Sequence, residues 1–295
     1  MKPPSFEYHR PATVAEALEV LAALGPDAKV LAGGQSLVPL LNMRLAAPKA
    51  LVDINRLGAE LDSLALAVNP ESKRGDVRVG ALARHARVTR SRLHPLLAEA
   101  TRFVAHPTIR NRGTVVGSLV HADPAAELPA VLLLCDGSVE LASIGGTRSV
   151  PAGSFFVGPL ESALAPGELA VAARFALPPP RTGSVFVEVS RRSGDYALAG
   201  LALSVTLDAD GHVAAARAAY LSVGPTPLLV DLTDAVSGST VDWDAAGALA
   251  VSRVEPDEDI HATAEYRRHL VGVLTRRAGS LALARAREAV DVHSS

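Results

Sequence analysis

Apolar and polar positions alternate along this chain in a way that predicts short helices and strands in turn. Val14, Leu18 and Leu21 share one face of an expected helix, and Thr13-Val14-Ala15-Glu16 ahead of them reads as a capping box. Gly25-Pro26 stops that helix. Residues 29–32 read as a buried strand running into Gly33-Gly34-Gln35-Ser36, and residues 37–45 read as helix. Strands are expected at 50–54 and 77–82. A helix is expected at 93–104, where Leu96, Leu97 and Ala100 keep helical spacing and Pro95 fits the first turn. Residues 108–129 carry no clean period and read as a long loop, of the kind that is usually functional. Strands resume at 139–142.

Pro178-Pro179-Pro180 is the sharpest punctuation and marks the expected domain boundary. Beyond it, strands are expected at 185–190, 200–208 and 213–223, with Asp208-Ala209-Asp210-Gly211 as a hairpin turn. Residues 262–287 read as an amphipathic helix with Tyr266, Leu270, Val273 and Leu274 inward. The order is α/β first, then a β-meander closed by helices.

Charge and cysteine content narrow the function. Lys and Arg number 29 against 31 Asp and Glu, a balance with no basic stripe for nucleic acid. A single cysteine, Cys135, supports neither a disulfide framework nor an iron–sulfur ligand set within this chain. The start, Met1-Lys2-Pro3-Pro4-Ser5, has no signal-peptide pattern, and runs such as 130–135 fall far short of the roughly 20 residues of a membrane span. The expectation is a cytoplasmic protein. No nucleophile with an adjacent base is evident, so no catalytic residue is assigned, and the histidines suggest no metal site. His106 reads as a cap on the preceding helix. His121 reads equally as a cofactor contact or as a bond within its loop.

Two glycine-rich segments carry the candidate chemistry. In Leu31-Ala32-Gly33-Gly34-Gln35-Ser36, a strand, two glycines and a helix start offer backbone donors to an anion. The spacing fits neither the Rossmann nor the Walker fingerprint, and such a turn is often only structural. The second segment, 109–129, offers hydroxyls at Thr114 and Ser118, a close backbone approach at Gly117, and carboxylates at Asp123 and Glu127 that suit ribose hydroxyls. An ordered surface loop with Arg110 and Arg112 paired to acids is the equal alternative. Together the two segments can clamp a pyrophosphate from both sides.

Ala32-Gly33-Gly34-Gln35-Ser36 with Leu45 and Leu51-Val52-Asp53-Ile54, followed by 109–114 and His121-Ala122-Asp123-Pro124, resemble the FAD-binding medium subunits of the carbon monoxide dehydrogenase and xanthine dehydrogenase family of molybdenum hydroxylases. The resemblance continues through 155–159, 166–169, 191–197, 223–227 and 266–270. It implies an α+β chain: a two-subdomain FAD-binding fold of the vanillyl-alcohol-oxidase type at 1–177, a smaller α+β domain at 178–288, and a tail at 289–295. By resemblance, Leu31, Ala32, Gly33, Gly34, Gln35 and Ser36, with Thr114, Val115, Val116, Gly117 and Ser118, hold the FAD pyrophosphate. Asp123 and Glu127 lie near the ribityl and ribose groups. Leu164, Arg192 and Tyr196 contact the flavin, with a core aromatic as the other reading of Tyr196.

The implied role is electron transfer. Electrons leave a molybdopterin cofactor on a large partner subunit, cross [2Fe–2S] clusters on a small one and reach FAD here, within a dimer of heterotrimers. The acceptor is NAD, a quinone or oxygen. One departure from the family stands out: Val116 occupies the first of two positions that are usually glycine. Either an extended backbone tolerates it, or flavin binding is weakened. Two rivals therefore remain, a stand-alone FAD-dependent oxidoreductase and a flavin-free structural or regulatory descendant.

Overall fold

A computed structural model describes residues 2–68, 75–237 and 241–293. The chain divides into two compact units, and two early segments belong to the later one. The first unit comprises residues up to Leu93, His106–Ala122 and Gly137–Ala176. The second comprises His94–Ala105, Asp123–Asp136 and the chain from Leu177 onward.

In the first unit, strands Glu7–His9, Ala28–Leu31 and Ala50–Asp53 form a parallel three-stranded sheet with Ala50–Asp53 in the centre. All four residues of that central strand are buried, as a parallel strand covered on both faces requires. The helix Val14–Leu24 buries Ala17, Leu18 and Leu21, and the Thr13 hydroxyl accepts from Glu16 N at 3.1 Å, as the capping box predicts. A second, five-stranded sheet runs in the order Leu64–Val68, Gly75–Gly80, Leu169–Ala176, Ser138–Ser143, Gly146–Pro151, with every pair antiparallel. Its members Leu64–Val68, Gly146–Pro151 and Leu169–Ala176 are not foreseen in the sequence pattern.

The segment 108–129, expected to be an irregular loop, is largely helical. Pro107–Arg110, Val115–His121 and Glu127–Leu134 are all helices. Each is four to eight residues long, too short to set up a readable period. Val115, Val116 and Leu119 are all buried, and Thr114 caps their helix by accepting from Gly117 N at 3.1 Å. His106 precedes Pro107 at the start of a helix and does not close the one before it. His94 is the histidine that caps Pro95–Thr101, accepting from Leu97 N at 3.3 Å.

The second unit is built on an antiparallel meander of Thr182–Ser190, Ala197–Leu207, Val213–Leu221 and Leu228–Asp231. Helix Ala264–His293 packs on it, and Trp243–Val251 packs on that helix. The core includes Leu201, Leu203, Val205, Tyr220, Leu270 and Leu274, and the Tyr220 hydroxyl meets that of Thr275 at 2.8 Å. Tyr266 does not face inward: it is 45% exposed, whereas its neighbour Arg267 is 7% exposed. Arg267 accepts this position because Nη1 donates to Leu198 O at 2.6 Å and Nη2 pairs with Asp259 at 2.8 Å. The last helix runs to His293, past the residue at which a tail is expected to begin. No helix among the described residues is long and apolar enough to cross a membrane.

Val116 has an ordinary negative φ inside its helix and is 2% exposed, so it is a core residue without backbone strain. Val116→Gly therefore removes a buried side chain and adds helix flexibility. The expected cost is roughly 2–4 kcal/mol of unfolding free energy, read from the denaturant midpoint. Stability equal to wild type would contradict this placement.

Candidate functional site

The parallel sheet ends at Leu31, and the chain turns through Ala32, Gly33 and Gly34 into the helix Leu37–Asn42. Gly34 has φ +72°, the left-handed region that favours glycine. Gly33 is required for another reason: a β-carbon there would strike the Arg112 carbonyl oxygen and lie 2.8 Å from Gly113 Cα. The two glycine segments, separated by about 80 residues in the chain, thus meet backbone to backbone.

A pocket of about 440 Å³ opens at this junction. Leu31, Ala32, Gly33, Gly34 and Gln35 line it together with Val38, Pro39, Asp53, Asn55 and Arg112. None of the backbone N–H groups of Gly33, Gly34, Gln35 or Ser36 donates to another described residue. The Gln35 side chain turns back to donate to Gly33 O at 3.0 Å, and Ser36 makes no side-chain cap.

The floor of the pocket is a hydrogen-bonded network. The Tyr8 hydroxyl donates to Asp53, which also accepts from Asn55 N at 2.9 Å and Asn55 Nδ2 at 2.6 Å. Asn55 Nδ2 in turn donates to Ala32 O at 2.9 Å, fixing the first loop. Burial works against the Asp53 carboxylate, but these donors together hold it below its ordinary pKa. Arg84 donates to Asn55 Oδ1 at 2.6 Å and to the Arg112 carbonyl, tying the second loop to the same network. Sequence reasoning missed Asn55, Arg84 and Arg112 as parts of one site and gave Asp53 no role. The Asp53-Ile54-Asn55 run at a strand end was the signal for Asp53 and Asn55.

In the second segment, the side chains of Val115 and Val116 point into the core, so only their main chain is available to a ligand. The Thr114 hydroxyl already accepts from Gly117 N, and Ser118 N donates to Thr114 O at 3.1 Å. Gly117 is exposed, and Ser118 Oγ lies 3.1 Å from His85 Nε2.

Comparison with known proteins decides the family. Residues 4–178 match the FAD binding domain in molybdopterin dehydrogenase, and residues 184–281 match the CO dehydrogenase flavoprotein C-terminal domain. The chain belongs to this family. It is 42% identical to the 6-hydroxypseudooxynicotine dehydrogenase complex subunit alpha of Paenarthrobacter nicotinovorans, over 97% of each chain. Among solved structures it matches carbon monoxide dehydrogenase from Hydrogenophaga pseudoflava with a TM-score of 0.89 and 35% identity, covering 97% of this chain and 99% of that one. Quinoline 2-oxidoreductase from Pseudomonas putida 86 gives a TM-score of 0.88 at 35% identity, covering 98% and 99%. As a member of the molybdopterin dehydrogenase flavoproteins, the chain is an FAD-dependent oxidoreductase subunit.

The remaining expected contacts of this flavoprotein are distributed differently. Leu164 is half-buried in the first unit, outside the pocket lining. Asp123 and Glu127 belong to the second unit, where the Asp123 carboxylate accepts from Ala125 N at 2.8 Å and Glu127 opens the helix Glu127–Leu134. Arg192 is exposed in the turn before Ala197–Leu207, its carbonyl accepting from Ser190 Oγ at 2.9 Å. Tyr196 is 70% exposed, which excludes the core-aromatic reading. Partial burial around its hydroxyl, with the charges of Asp123 and Glu127, raises its phenol above the ordinary value.

Glu188, absent from the expected set, belongs to the same acidic neighbourhood. Burial, reinforced by the charge of Glu127, pushes its carboxyl from 4.5 up to about 8, and its Oε2 is buried without a partner among the described residues. The unfolded chain ionises this group above about 4.5, whereas the native chain keeps the proton until about 8. Its contribution to stability is complete below pH 4.5 and is lost as pH rises through 8. Relative to Glu188→Gln, wild type should lose on the order of 2–4 kcal/mol between pH 5 and 8.5 in urea titrations. Parallel pH profiles would contradict the assignment.

Proposed function

We propose that the pocket beside Gly33 and Gly34 receives the pyrophosphate of FAD, with backbone N–H groups of residues 33–36 as its principal donors. The observation that carries this reading is the run of four consecutive N–H groups without acceptors among the described residues, beside a pocket that Arg112 lines. Four donors and a guanidinium suit a dinucleotide's doubly charged linkage. Asp53 does not oppose it strongly, because its carboxylate is already engaged by Tyr8 and Asn55. From the second segment, Val116 N and the Ser118 hydroxyl complete the cradle. Asp123 and Glu127 are assigned to ribityl and ribose hydroxyls, and Leu164, Arg192 and Tyr196 to the flavin, on family likeness. Bound FAD supplies the redox chemistry, accepting and releasing electrons.

The chain's place is then in a relay. With one cysteine it cannot ligate an iron–sulfur cluster itself, so electrons arrive from a small [2Fe–2S] subunit and originate at a large molybdopterin subunit. The relative named as one subunit of a dehydrogenase complex supports this arrangement. A dimer of heterotrimers in the cytoplasm is the assembly we assign. The helical, buried position of Val116 removes the reason for a flavin-free descendant.

Gly34→Val tests the cradle. A β-branched residue at φ +72° is strained, and its side chain would crowd Leu31 and Val38. Loss of most bound flavin, about tenfold weaker binding or more, is expected with far-UV circular dichroism unchanged. Wild-type flavin occupancy in this variant would remove the loop from the site.

A further inference from the structure

Beneath the second loop lies a histidine that the cradle does not touch directly. His85 opens the helix His85–Thr89, and its own N–H donates to Gly113 O at 3.0 Å. Its ring packs against the loop so closely that a β-carbon on Gly113 would lie 2.8 Å from Nδ1 and 3.0 Å from Cε1. Nε2 is 3.1 Å from Ser118 Oγ, whereas Nδ1 is buried and has no aligned partner among the described residues.

We propose that His85 is a positioning residue for the flavin site: it donates from Nε2 to Ser118 Oγ and thereby leaves the Ser118 proton for an anionic oxygen of the cofactor. This rests on the reading that the two glycine segments hold the FAD pyrophosphate. The tautomer follows from the orphaned nitrogen. A neutral imidazole carries one N–H, and a buried N–H without an acceptor costs more than a buried lone pair without a donor. The proton therefore resides on Nε2, and the Ser118 oxygen accepts it. Among the described residues, the Ser118 hydroxyl has no second partner, so its own proton is available to a ligand.

The ring acts through this hydrogen bond and not as a cation. Burial lowers its pKa to about 4; a hydrogen bond between the ring and the Thr114 main chain pulls upward, and the charges of Arg110 and Arg84 pull down. The imidazole stays neutral throughout the physiological range.

Nitrogen-15 NMR of the histidine-labelled full chain reads the tautomer directly. A proton on Nε2 of His85 is expected; a proton on Nδ1 overturns the proposal, whatever the variants do. FAD dissociation constants supply the second readout. His85→Leu and Ser118→Ala should each weaken binding about fivefold, the worth of one hydrogen bond. The double variant should bind no more weakly than Ser118→Ala alone, and His85→Gln, which keeps a donor near Nε2, should recover to within about twofold. Additive losses, or His85→Leu binding like wild type, would overturn the role of His85 while leaving the cradle intact. A wild-type chain that binds no FAD overturns the cradle and the proposal with it.

Discussion

The approach of Gly33 to the backbone of Arg112 and Gly113 is the constraint on which the first unit's chemistry depends. No side chain fits between these two segments, so the parallel sheet's strand end and the turn before the Val115–His121 helix are held at a fixed separation. Asn55 and Arg84 brace the junction from either side, one bonded to Ala32 O and the other to the Arg112 carbonyl. Hydrogen bonds within that brace satisfy the carbonyls and leave the amides of residues 33–36 without acceptors among the described residues. A rigid array of donors costs little further ordering when an anion arrives, which is the physical advantage of building the site on main chain.

Much of this was readable in the sequence because glycine pairs and helix starts are local signals. The turn at Gly33-Gly34, its flanking strand and its following helix all appear where the pattern predicts them. The meeting with Arg112 was not readable, since it is fixed by tertiary packing between distant segments. Likewise the 108–129 segment hid its helices. Thr114 and Pro107 start two of them, but runs of four to eight residues are too short to show a period. Val116 shows the same limit in reverse. Judged against the family it looked like a misplaced side chain in a phosphate loop, yet it is a core contact of a short helix.

The second unit illustrates a different limit. Hydrophobic periodicity found the last helix but turned Tyr266 inward, because an aromatic outranks an arginine on any apolarity scale. Arg267 takes the buried position since a backbone carbonyl and Asp259 engage both terminal nitrogens of its guanidinium, a pairing that the helix's own sequence does not display. Glu188 was invisible for the same reason: its perturbation comes from burial and from Glu127, far away in sequence.

Amide hydrogen exchange of the purified chain with and without FAD tests the central claim most directly. Binding at the cradle should slow exchange at Gly33, Gly34, Gln35, Ser36 and Val116, amides without acceptors among the described residues. Stoichiometric FAD binding that leaves exchange at these five positions unchanged would contradict it.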